Sequence, residues 1–171
     1  YEHKMNDYFT LEGGMGITTR NYIEDFIRGY SFRTDGTTIN KASVSFSLNA
    51  KFFPDGNAFQ DGYYVALNLG HRQYAQEFQT VNVMNVDTSF NESFIWNDFG
   101  FTMGYQSRPS ERMIFDWYIG TGIRQKNRTV TEYQQIFDPN TGLFSGSYVS
   151  LVANNAAPAL LGGLKISVLF R

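Results

Sequence analysis

Glu12, Lys51, Arg72, Asp98, Asp116, Arg124 and Lys165 are the residues whose types could do chemistry here, because each stands inside a run of alternating residue types. Carboxylates and cations on one shared face can pair, line a polar passage or hold a small ligand. Which of these they do depends on what the opposite face meets. In Ile95 to Tyr105 one parity reads Ile95, Asn97, Phe99, Phe101, Met103, Tyr105, and the other reads Trp96, Asp98, Gly100, Thr102, Gly104. A period of two is the signature of a strand. A soluble sheet hides the apolar face and wets the polar one; a barrel closed in lipid inverts this, with the apolar face outward and the charges inside.

Other constellations carry less. The two histidines, His3 and His71, are far apart and lack the neighbouring acids that a zinc or iron site needs. His71 lies on the apolar parity with Arg72, Gln73 and Tyr74 beside it and no serine at same-face spacing, so a hydrolytic triad is not expected. Asp138-Pro139-Asn140-Thr141-Gly142 has the beginning of a calcium loop without the downstream bidentate glutamate, and reads as a turn. The sequons at Asn91 and Asn127 are short enough to be chance, and no phosphate-binding glycine motif occurs. The expectation is a non-enzymatic protein with no cofactor and no bound metal.

Composition narrows the class. The 171 residues carry a net charge of −2, which offers no basic footprint for nucleic acid. Aromatic residues make up 17%, mean hydropathy is −0.33, and no stretch approaches the roughly 18 continuous apolar residues of a spanning helix. A β-barrel is compatible with both values, since only every second residue of a spanning strand faces lipid. The absence of cysteine removes disulfides, thiolate metal sites and cysteine nucleophiles. The chain opens at Tyr1 with neither an initiator Met nor a signal peptide, so a barrel requires that a leader has been removed.

Six alternating runs position the charges. The cleanest lies between Lys41 and Phe53, where Ala42, Val44, Phe46, Leu48, Ala50 and Phe52 alternate with Ser43, Ser45, Ser47, Asn49 and Lys51. Tyr8 to Ile17, Tyr63 to Tyr74, Ile95 to Tyr105, Arg112 to Arg124 and Ala157 to Arg171 follow the same rule, each about 10 or more residues and so long enough for a tilted membrane crossing. Connections alternate too. Short turns at Ser107 to Glu111 and near Pro54-Asp55-Gly56 contrast with long polar excursions near 18–40, 75–94 and 125–156, the asymmetry of outer-membrane barrels with extracellular long loops. The excursions are read as hairpins continuing above the membrane, for example Arg128 to Phe137 returning through Leu143 to Val152.

The predicted fold is therefore all-β: one domain over residues 1–171, an antiparallel up-and-down transmembrane barrel of eight strands in the complete protein. Six strands fall short of the minimum of eight. Tyr1 to Asn6 reads as the end of a strand and a tight turn, so the first one or two strands are expected to be absent or partial in this chain. An eight-stranded interior is just wide enough to be filled by side chains, which predicts that the seven charges form an ion-paired plug. Phe52, Phe53, Tyr63, Tyr105, Phe115 and Phe170, near the short-turn ends, are predicted to form an aromatic girdle at the headgroup level.

The opening Tyr1-Glu2-His3-Lys4-Met5-Asn6-Asp7-Tyr8-Phe9-Thr10-Leu11-Glu12-Gly13-Gly14 resembles a hairpin of small outer-membrane barrels of the Bacteroidetes. Lys51 to Val65, the hairpin from Met103 to Gly120, and Gly163-Leu164-Lys165-Ile166 are similar to the DUF3575-type barrel family. The usual terminal aromatic is here followed by Arg171. The resemblance implies a bacterial outer-membrane location, with no enzymatic residues to carry over.

The expected role is structural or accessory. The partners would be outer-membrane lipid or lipopolysaccharide, and another surface protein in a larger outer-membrane complex, bound through the loops or the barrel wall. Tyr133, Phe137, Phe144 and Tyr148 suit such contact, or pack on one another. A narrow pore or small-ligand carrier is the alternative, and a soluble lipocalin-like binder with its two parities exchanged is the second.

Overall fold

Alternation becomes strand in every predicted run. A computed structural model describes residues 1–19, 37–58, 60–81, 87–139 and 142–168, and all regular structure among them is β. The strands are β1 (Glu2–Lys4), β2 (Phe9–Thr18), β3 (Thr37–Lys41), β4 (Ser43–Phe52), β5 (Gly62–Val81), β6 (Asp87–Ser110), β7 (Met113–Asp138) and β8 (Leu143–Val168). They make one antiparallel sheet in the order β1-β2-β4-β5-β6-β7-β8. β3 pairs β5 above β4, and the register slips by one residue between Lys41↔Ala75 and Ser45↔Arg72. β3 is thus the top of the β4 strand, set off by a bulge.

Most of the predicted excursions are continuous hairpins. β5 and β6 stay in register from Gly62↔Gln106 to Val81↔Asp87, and β7 and β8 from Met113↔Val168 to Asp138↔Leu143. The excursion near 18–40 contains β3, a strand read from sequence as loop; its remainder over 20–36 lies outside the described residues, as do Phe170 and Arg171. The turn expected at Ser107 to Glu111 tightens, with β6 running on to Ser110 across a register shift. At the first turn Asn6 Oδ1 accepts the amides of Tyr8 and Phe9, which reverses the chain between β1 and β2. Gly56 closes the next turn at φ 65°, where a Cβ would lie 3.1 Å from the Tyr8 ring.

The sheet curls strongly. Lys51 on β4 and Asp116 on β7 are three strand spacings apart, about 14 Å in a flat sheet, yet their charged atoms lie 2.8 Å from each other. Lys165 on β8 similarly reaches Glu12 on β2 at 2.6 Å. The face bearing these groups is therefore concave. The convex face carries the apolar parity, with Leu67, Phe101, Ile119 and Leu164 each about half exposed or more. Curling stops short of closure: among the described residues, no backbone pairing joins β8 to β1 or β2.

Candidate functional site

The interior is organised around two charged hubs. The lower one centres on Lys51, whose side chain is 2% exposed, with Asp116 at 2.8 Å, Glu12 at 3.0 Å and Glu2 at 3.2 Å. Each ligand comes from a different strand, so the ammonium ties β1, β2 and β7 to β4. Lys165 adds a second cation to Glu12, Asn49 donates to the same carboxylate at 3.1 Å, and Thr10 donates to Glu2 at 2.5 Å. The Tyr64 hydroxyl donates to Asp116, and its ring lies 5.0 Å below the Lys51 ammonium. Buried charges demand such partners, since a lone ion in this setting would cost several kcal/mol.

The upper hub inverts the arrangement, with a carboxylate at the centre. Asp98 accepts from Arg72 at 2.6 Å and from Arg124 through two nitrogens at 2.5 and 3.0 Å. The bidentate geometry fixes the guanidinium plane. Trp96 packs on the same group of cations, with Arg124, Lys126 and Arg72 at 5.0, 5.3 and 5.5 Å from its ring. Higher still, buried Glu92 accepts from Gln76 at 2.6 Å and from the Thr131 amide at 2.7 Å.

All seven charges read from sequence thus meet on one face, in two groups: Glu12, Lys51, Asp116 and Lys165 below, Arg72, Asp98 and Arg124 above. Glu2, Tyr64, Trp96 and Glu92 complete the groups and were not singled out from sequence. Parity marks Tyr64 and Trp96 as inward; Glu2 sits on a three-residue strand too short to show alternation, and Glu92 in a stretch read as loop.

The girdle prediction needs one correction. Phe53 is fully buried, packed with Ala58, Tyr64 and Ala66 beneath the Lys51 hub, its ring 5.5 Å from that of Tyr64. It has the parity of Lys51, not of Phe52, and so points inward and blocks the short-turn end of the interior. On the convex face Phe52 pairs with Phe9 at 4.9 Å, while Tyr63 meets Tyr105 edge-on at 4.9 Å and Tyr105 stacks on Trp117 at 6.0 Å. Phe115 is half-buried on the same face. His71 is also on the convex side, bonded through Nδ1 to Asn97 at 2.7 Å and separate from the interior carboxylates. Among the described residues, no three His, Cys, Asp or Glu side chains are placed to hold a metal ion.

Between the hubs lies a cavity of about 470 Å³, lined by Arg72, Asp98, Arg124, Lys165, Asn49 and Asn68 together with small residues such as Gly14 and Gly70. It also touches Met15 and Leu160, on the outer margins of β2 and β8, which are not paired at these positions among the described residues. Leu161 fills part of the same layer, its Cδ1 occupying the space a Cβ on Gly100 would need. There β6 and β7 approach closely, a Cβ on Gly120 falling 2.1 Å from the Phe101 carbonyl oxygen. No family model, curated protein or solved structure matches the chain.

Proposed function

We propose that this chain is a non-enzymatic bacterial outer-membrane β-barrel, closed in the complete protein, that serves as a structural or accessory subunit and binds another surface protein. The observation that carries the reading is the inverted sheet. Charged groups are buried on the concave face, while large apolar side chains stand bare on the convex one, Leu67 at 53%, Ile119 at 67% and Leu164 at 62%. Water tolerates single exposed apolar residues but not a continuous belt of them, whereas lipid favours it. The Phe9–Phe52 pair and the Tyr63–Tyr105–Trp117 row at the short-turn side fit an interfacial girdle. Small Bacteroidetes barrels of the DUF3575 type, which the strand motifs resemble, are the family proposed.

An accessory role is favoured over a pore by the interior itself. Phe53 and the Lys51 hub fill the short-turn end, and the Asp98 hub spans the layer above. Partner contact is assigned to the tip of the β7–β8 hairpin, where Phe137 and Phe144 pack on each other at 5.1 Å and remain 52% and 70% exposed. The test is reconstitution of the purified protein. Detergent-dependent solubility, heat-modifiable migration on gels and no discrete conductance steps in planar bilayers are expected. Folding in plain buffer would overturn the membrane reading, and stepwise conductance would replace the plug with a pore.

A further inference from the structure

The margins of the sheet specify what closes it. β2 and β8 run in opposite directions, as six consecutively antiparallel strands must. An all-antiparallel closure therefore inserts either no strand or two between them. β1 already occupies the lower edge of β2, with Glu2↔Glu12 and Lys4↔Thr10, so direct β2–β8 pairing is excluded there. Two strands remain: one along the line of β1 past Gly13, the other against β8. With them the sheet reaches the eight strands of the smallest outer-membrane barrels.

Exposure marks the same place. Met15 and Ile17 on β2 are 82% and 78% exposed and Leu160 on β8 is 87%, against 46–58% for Leu67, Phe99, Phe101 and Met103 in mid-sheet. Among the described residues, no further strand covers these side chains. The cavity between the hubs opens at this seam and is lined by Arg72, Arg124, Lys165 and Asp98; with Lys165 paired to Glu12 at 2.6 Å, two guanidinium groups share the single carboxylate of Asp98. Among the described residues, the Arg72 guanidinium donates one hydrogen bond, to Asp98, out of five possible.

We propose that the seam between β2 and β8 is the acceptor for a β-hairpin that carries a carboxylate on its inward parity, placed in the cavity against Arg72. One arm pairs with the edge of β2 beyond Gly13, whose amide and carbonyl are already bonded to Tyr1, and the other runs along β8, where about ten residues cross with the rest of the sheet. Apolar residues on its outward parity cover Met15, Ile17 and Leu160. This inference deepens the barrel reading and rests on it.

The test uses the purified 171-residue chain in detergent and synthetic hairpin peptides of alternating pattern that differ only in one inward residue, Glu or Gln. Hydrogen exchange of the outer edges of β2 and β8 is expected to be fast in the chain alone and slow with the Glu peptide. The Glu peptide is expected to bind at least about tenfold more tightly than the Gln peptide, in keeping with a close interior charge pair. Arg72→Gln should abolish that preference. Equal binding of the two peptides overturns the proposal, and since that comparison leaves the protein unaltered, a folding defect cannot mimic it. Edges protected without any peptide, or a dimer formed through the seam, overturn it as well. Failure of the barrel reading looks different: the chain would fold in plain buffer, where the same peptide comparison can be repeated.

Discussion

Lys51 and Asp116 meet at 2.8 Å from strands that are not neighbours, and both side chains are all but inaccessible, at 2% and 3% exposure. This one contact fixes the curvature of the sheet, since β5 and β6 must bend around it. It also fixes the cost of disturbing it. The three carboxylates Glu2, Glu12 and Asp116 converge on a single ammonium, and Lys165 pairs with Glu12.

Lys51→Met keeps the volume of the side chain and removes the charge that holds the three acids together. Breaking a buried ion pair from one side costs about 3–5 kcal/mol, so the variant is expected to lose a large share of the roughly 5–15 kcal/mol that holds an ordinary domain folded. Denaturant unfolding in detergent measures it. Asp116→Lys, which sets two ammonium groups against each other, is expected to fail assembly outright and to lose heat-modifiable migration. Wild-type migration in either variant would show that the hub does not hold the curled sheet together.

How much of this was legible follows from what a period of two can encode. Parity places Glu12, Lys51, Arg72, Asp98, Asp116, Arg124 and Lys165 on one face because a one-residue slip would turn every side chain over. It is silent on partners: Lys51 finds Asp116 through curvature, which belongs to the whole sheet and to no single run. The upper halves of β5 to β8 alternate weakly, because polar Thr80, Glu92 and Thr131 share the buried face with Phe78 and Val130, so parity does not mark Glu92. β3 escaped because the bulge after Lys41 flips its parity relative to β4. Phe53 was misassigned although its signal was present, since two adjacent aromatics cannot both face outward on one strand.

Glu77 gives a pH dependence above the apolar band of β5. Its carboxyl is held below its ordinary value of 4.5 chiefly by the hydrogen bond from Gln79, then by Lys41, whose ammonium lies 2.9 Å away. A carboxylate with a lowered folded value stabilises the folded state above 4.5 and loses that contribution as pH falls through the folded value. β3 is joined to β5 by this contact and by five paired residues. Side-chain NMR titration should therefore place the Glu77 midpoint below 4.5, with exchange of β3 amides rising over the same range. Because the pair is partly exposed, added salt should shrink the effect. A midpoint at or above 4.5 would contradict the assignment.

Tyr148 separates packing from recognition in the upper hairpins. Its ring lies 5.2 Å from Tyr133, 5.8 Å from Phe78 and 5.9 Å from Phe90, and its hydroxyl is 3.2 Å from Thr80 Oγ1. Phe78 is fully buried, so the cluster joins β8 to β5 across the interior as Lys51 joins β4 to β7 lower down. Truncating a fully buried aromatic costs about 3–5 kcal/mol, and the half-buried Tyr148 should lose somewhat less. Tyr148→Ala is expected to speed proteolysis and hydrogen exchange in the upper strands while leaving exchange around Lys51 unchanged. Phe144, at 70% exposure on the hairpin tip, should behave in the opposite way. Phe144→Ala should shift stability by no more than about 0.5 kcal/mol and reduce capture of the proposed surface partner from native membranes. If Phe144→Ala left capture intact and Tyr148→Ala abolished it with the upper strands still protected, the contact surface would lie on the packed side of the hairpin and not at its tip.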